Sequence, residues 1–129
     1  MKKWFVILTF FTTFLFGDVR NVKVSEEFIK SGVKIIDIRT EPEWAQTGIV
    51  KDSILITFFD AQGGYNEKEF LSKLDKYVSK DKEFALICRT GNRTTAVSEI
   101  LGKSGYKVIN LKGGVKKLME QGVVLEPLK

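Results

Sequence analysis

Cys88 is the chain's single cysteine, and it heads the segment Cys88-Arg89-Thr90-Gly91-Asn92-Arg93-Thr94. The sequence has no histidine. A lone cysteine forms no internal disulfide and no Cys-x-x-Cys redox pair. The lack of imidazole removes the Ser-His-Asp triad, the Cys-His dyad and most zinc sites. Any nucleophile here must be activated in another way. The thiolate is the reactive form of cysteine, and helix N-termini and nearby cations favour it. Arg89 and Arg93 supply cations, and Thr90, Gly91 and Asn92 let the backbone curl between them. Backbone N–H groups of such a turn can converge on one point and form an anion-binding nest. The plainer reading makes Cys88 a small hydrophobe at a strand end; it leaves the two arginines and the glycine-centred turn without a purpose.

The elements around this loop follow from short apolar runs alternating with helical patterns. Residues 33–38, 53–56, 84–88 and 108–111 are runs of strand length, apolar without alternation, as in strands covered on both faces. Phe70, Leu71, Leu74, Tyr77 and Val78 recur at helical spacing, as do Val97, Ile100 and Leu101, and Val115, Leu118 and Met119. Thr40 with Glu43, and Asn66 with Glu69, have capping-box spacing. Ser25 is placed to cap a short helix carrying Phe28 and Ile29, and Gly105 and Gly122 stand where helices should stop. The pattern predicts an α/β domain around a mostly parallel sheet of four to five strands with helices on both faces. Ligands in such folds bind at the carboxyl ends of the strands. Cys88 stands at one of those ends, with a helix expected to begin near Thr94 or Thr95.

Asp37 ends another strand, and its carboxylate is a candidate to accept loop N–H groups or to pair with Arg93. A local turn, or a cap for the helix after Thr40, is the equal alternative. Arg39 is expected to pair locally with Glu41 or Glu43. The stretch from Phe58 to Asn66, with Gly63-Gly64, is the longest irregular one and is placed to overhang the loop, although core packing suits its two phenylalanines better. Gly113-Gly114 either turns the chain or approaches the site closely, and Trp44 reads as a packing residue.

The Cys88 loop resembles the active-site loop of the rhodanese family. Ile36-Asp37-Ile38-Arg39 with Glu41-Pro42-Glu43-Trp44, then Gly48-Ile49, residues 53–56, Gly105-Tyr106-Lys107-Val108, Leu111 and Gly113-Gly114 resemble further family segments in order and spacing. The likeness covers residues 22–124. Two departures stand out: the family often has His-Ile-Pro where this chain has Gly48-Ile49-Val50, and often Trp in place of Leu118. The resemblance implies a rhodanese-like fold and a thiosulfate sulfurtransferase with Cys88 as nucleophile. It further implies a persulfide held by Arg89, Thr90, Gly91, Asn92 and Arg93, with Asp37 and Arg39 in support. No cofactor beyond the covalent persulfide, and no metal, is expected. Partners would be a small anionic sulfur donor and a thiol acceptor, with a protein sulfur acceptor as a further option. A non-catalytic persulfide carrier or binding module is the alternative. Related phosphatases place five residues between cysteine and arginine, whereas four separate Cys88 from Arg93. This disfavours phosphatase or arsenate reductase chemistry.

The first residues belong to a different pattern. Lys2 and Lys3 precede an uncharged apolar run from Trp4 to Phe16, then Gly17-Asp18. That order describes a secretory signal peptide at residues 1–17, ahead of a single rhodanese-like domain at 18–129. The run falls short of the roughly 20 residues that span a bilayer. A periplasmic or otherwise exported location is the expectation, and an uncleaved membrane anchor the alternative. Two of the 21 basic residues lie in this leader, and the rest nearly balance 16 acidic ones. No basic stripe interleaved with aromatics appears, so nucleic acid is not an expected partner.

Overall fold

Phe84–Ile87 contains no polar side chain, and it is the middle strand of the sheet. The computed structural model describes residues 17–129. Five strands, β1 (Val19–Lys23), β2 (Ile35–Asp37), β3 (Ile54–Leu55), β4 (Phe84–Ile87) and β5 (Val108–Lys112), form one sheet in the order β1-β5-β4-β2-β3. Every pairing between them is parallel. Five helices connect them: α1 (Glu26–Lys30), α2 (Glu41–Thr47), α3 (Glu67–Leu74), α4 (Asn92–Lys103) and α5 (Gly114–Glu120). The expected fold class is the observed one.

Side chains alternate along a strand, so β4 feeds two cores. Phe84, Leu86 and Cys88 pack with Phe70 and Leu74 of α3 and with Val97 and Leu101 of α4. Ala85 and Ile87 point to the other face, where Val115 and Leu118 of α5 join them and Phe28 and Ile29 of α1 pack alongside. This two-sided burial explains why the central strands read as continuous apolar runs. It also leaves the sulfur of Cys88 on the α3/α4 face.

Three elements differ from the sequence expectation. β1 has no counterpart in the apolar pattern, because four of its five residues are exposed and its two valines neither cluster nor alternate. Backbone pairing to β5 over the whole strand holds it, helped by the Asn110 side-chain amide donating to Asn21 Oδ1 at 2.9 Å. α3 ends at Leu74 instead of continuing to Val78. Lys76 and Tyr77 donate three residues back, to Lys73 and Leu74, which tightens the chain into a turn and leaves Tyr77 exposed. α4 starts at Asn92, two or three residues earlier than expected, for reasons that lie in the Cys88 loop. The leader expected at residues 1–17 falls outside the described residues except for Gly17. Among the described residues no helix is long and apolar enough to cross a membrane.

Candidate active site

Cys88 follows β4 directly, and its residue is 1% exposed. The chain then reverses at Gly91, whose left-handed backbone (φ +100°) suits glycine. The reversal brings the Gly91 N–H back to the sulfur, to which it donates at 3.1 Å. The Thr94 hydroxyl stands 3.6 Å from the same atom. Gly91 also starts α4. Its carbonyl accepts the Thr95 N–H at 3.1 Å and the hydroxyls of Thr94 and Thr95 at 3.1 and 2.8 Å. The two threonines therefore sit within the first helical turn and do not precede it. As a result the sulfur lies against the first turn of a 12-residue helix, where the aligned peptide dipoles favour negative charge.

The expected convergence of several amides on the sulfur is met at one point. Among the described residues, the loop N–H bonded to Sγ is that of Gly91. The loop carbonyls face the other way. Val115 N–H donates to Cys88 O and Lys116 N–H to Arg89 O, both at 3.0 Å. Gly114 (φ +60°) makes this approach possible, since a Cβ there would overlap the carbonyl oxygens of both Cys88 and Arg89. A Cβ on Gly91 would come within 3.1 Å of Gly113 N. Two glycine turns are thus nested backbone to backbone, and Gly113-Gly114 both turns the chain and anchors the loop.

Arg89, Thr90 and Asn92 are exposed at the loop surface, and Arg93 is half-buried. Arg93 meets Glu43 of α2 in a bidentate pair, Nη1 to Oε1 and Nη2 to Oε2, each 2.6 Å. Thr40 adds its N–H (3.4 Å) and its hydroxyl (3.1 Å) to Glu43 Oε1. The Arg93 guanidinium holds the Glu43 carboxyl at about 2, against the opposing effect of burial, and the carboxylate in turn raises Arg93. Sequence reasoning gives Glu43 only a capping role or a pairing with Arg39; its capping-box spacing is the one signal that marks it. An open cavity of about 790 Å³ lies beside this pair, lined among others by Pro42, Thr57, Phe59, Ala61 and Arg93. The irregular stretch from Phe58 thus divides its roles. Phe58 is buried against Phe59, Tyr65 and Phe70, and Phe59 lines the cavity next to Arg93.

Asp37 takes the local turn given as its alternative, its Oδ1 accepting the Arg39 N–H at 3.0 Å, while the ion pairs expected of Asp37 and Arg39 are corrected. β2 does run beside β4, with Asp37 level with Ile87, but alternation sends the Asp37 side chain to the face of Ile35, opposite Cys88. Its carboxylate accepts Arg39 Nε at 3.0 Å and Nη2 at 2.9 Å, in an ion pair with no exposure on either side. It pairs with Arg39 and not with Arg93. Arg39 does not reach Glu41 or Glu43 either. It donates to Thr47 Oγ1 at 2.7 Å and Gly48 O at 2.9 Å, tying the end of α2 to the tip of β2. Trp44 is buried, as expected of a packing residue.

Comparison with known proteins places this geometry in a known group. A family model described as the Rhodanese-like domain matches residues 21–121. A Bacillus subtilis protein named "Putative sulfurtransferase YtwF" is 33% identical over 81 residues, which are 63% of this chain and 68% of that protein. "Protein HIGH ARSENIC CONTENT 1, mitochondrial" of Arabidopsis thaliana is 28% identical over 109 residues, 81% of this chain and 64% of that one. The crystal structure of a rhodanese-related protein from Thermoplasma volcanium superposes with a TM-score of 0.60 at 28% identity, covering 80% of this chain and 93% of that one.

Two measurements test the ion pairs. Replacing Asp37 by Leu strands the Arg39 charge in the interior and should cost about 3–5 kcal/mol in urea unfolding. The double change Asp37→Leu with Arg39→Met should cost less than that single change, and an additive loss would contradict the account. For Glu43, the folded carboxyl lies below its ordinary 4.5, at about 2. Its stabilisation is therefore complete above about pH 4.5 and disappears as pH falls through 2. The stability gap between wild type and Glu43→Gln should stay constant from pH 7 to 5 and narrow from pH 4.5 downwards.

Proposed function

The chain belongs to the rhodanese-like domain family, and from that premise we propose that it is a sulfurtransferase that carries sulfur as a persulfide on Cys88. The observation that carries this reading is the placement of one sulfur at the end of the central strand, under the first turn of α4, with the Gly91 N–H bonded to it. Family membership and a relative bearing a sulfurtransferase name support sulfurtransferase-type activity in general. Thiosulfate is the proposed donor.

In the first step the Cys88 thiolate attacks the outer sulfur of thiosulfate. A sulfur–sulfur bond forms at Cys88, the donor's own sulfur–sulfur bond breaks, and sulfite leaves with the bonding pair. In the second step cyanide or a thiolate attacks the outer sulfur of the persulfide, and Cys88 departs as thiolate. The Gly91 N–H stabilises Cys88 in its anionic states, where a fixed dipole costs no reorganisation. The N–H groups of Arg89 to Arg93, including Thr90 and Asn92, are the proposed hold for the added sulfur. Arg89 is the proposed contact for the donor's oxygens, being exposed, adjacent to the nucleophile and without a carboxylate partner among the described residues. Arg93 contributes a positive charge kept in place by Glu43. Asp37 and Arg39 act on the site by fixing the strand tip and α2.

The runner-up reading keeps the persulfide but removes free turnover, making the chain a sulfur carrier for a dedicated partner. Export through the leader at residues 1–17 belongs to the proposal as well, with retention of that segment as a membrane anchor the alternative. Steady-state thiocyanate formation from thiosulfate and cyanide separates the main readings. Wild type is expected to turn over, Cys88→Ser to fall to the uncatalysed background, and Arg89→Ala to raise KM for thiosulfate about tenfold, the scale of one charge-assisted contact. Activity surviving in Cys88→Ser would reject the nucleophile. A wild type that accepts one sulfur without multiple turnovers would favour the carrier.

A further inference from the structure

The carboxyl edge of the sheet carries lysines that the two-step reaction does not use. β1 and β5 run parallel with Lys23 paired in register to Lys112. Asn21 and Asn110, two residues earlier, face α4, where the Asn110 amide donates to Thr95 Oγ1 at 3.0 Å. Alternation therefore puts Lys23 and Lys112 side by side on that same face, which is the face of Cys88. Both are exposed. Like charges side by side on neighbouring strands repel each other. Lys112 is next to the loop itself, since a Cβ on Gly91 would meet its Cα at 3.5 Å. Lys116, whose N–H holds the Arg89 carbonyl, and Arg89 complete the group, and both are exposed.

Among the described residues none of these four cations has a carboxylate within ion-pair distance. On the other flank of the loop Glu41 and Asp60 line the cavity beside Arg93. The ledge crosses the ends of β1, β5 and β4, about 10 Å at the usual spacing between strands, and continues onto α5. That is wider than a single small oxyanion.

We propose that Lys23, Lys112 and Lys116, together with Arg89, form a docking ledge for an acidic surface on the protein whose thiol takes sulfur from Cys88. The inference rests on the persulfide reading and adds the partner's chemistry to it. A cysteine thiolate on the docked segment attacks the outer sulfur, the persulfide bond breaks, and Cys88 leaves as thiolate, so the persulfide passes to the partner. Electrostatic guidance of this kind sets encounter and selectivity, and it weakens with salt.

Two peptides of equal length test the ledge with the full-length protein. One is rich in glutamate and the other in lysine, each made with a terminal cysteine and again with serine. In fluorescence anisotropy the serine form of the acidic peptide should bind, should weaken steadily with added salt, and should lose about tenfold in affinity to the Lys23→Glu/Lys112→Glu variant. In transfer from preloaded Cys88, wild type should prefer the acidic cysteine peptide. The variant should lose that preference while still passing sulfur to 2-mercaptoethanol, which shows it to be folded and loaded. Equal binding of both peptides, or binding unaffected by the charge reversal, overturns the ledge. If the acidic peptide docks as expected but Cys88 never accepts sulfur, the ledge stands and the persulfide reading falls.

Discussion

Everything at the sulfur depends on how closely two glycine turns can be pressed together. The carbonyls of Cys88 and Arg89 are bound from below by the N–H groups of Val115 and Lys116. With both acceptors directed down, the backbone has to come back over the sulfur, and at Gly91 it presents a donor. No side chain fits between the layers, because a Cβ at Gly114 would occupy the space of the two carbonyl oxygens. Orientation of the loop is therefore a matter of backbone contact. In a sequence without histidine, the N–H bonded to the Cys88 sulfur comes from the main chain.

Charge is handled by separation of tasks. The fully buried Asp37–Arg39 pair lies on the opposite face from Cys88 and joins β2 to α2. It sets the position of α2, which carries Glu43. Glu43 in turn fixes Arg93 in the first turn of α4, where an unpaired cation would oppose the helix dipole. One chain of contacts thus runs from the strand tip to the loop, with Arg39 and Glu43 as its links. Arg89 remains outside it, exposed at the surface.

The sequence disclosed the fold through residues that the core uses up: the apolar runs at 84–88 and 108–111 exist because both faces of β4 and β5 are covered. It drew attention to Cys88 because a solitary cysteine stands between a buried strand and a glycine turn, with an arginine on either side of that turn. β1 was hidden, since an exposed edge strand held by backbone pairing needs no apolar pattern. The start of α4 was misplaced because Thr94 and Thr95 look like caps, whereas their hydroxyls bond back to Gly91 from inside the helix. Partners of charged residues were the least legible part. Arg93 finds Glu43 fifty positions away, and the direction of the Asp37 side chain depends on strand parity, which residue spacing alone does not fix.

An enzyme and a dedicated carrier share the same first event, and phosphatase-like chemistry lacks it. That event is capture of one sulfur atom by Cys88 in the cradle of Gly91. Intact-mass analysis of the full-length protein after incubation with thiosulfate, followed by peptide mapping, tests it most directly. The account predicts a gain of one sulfur atom, located on the peptide containing Cys88 and removed by a reducing thiol. An unchanged mass at Cys88 under those conditions would contradict it.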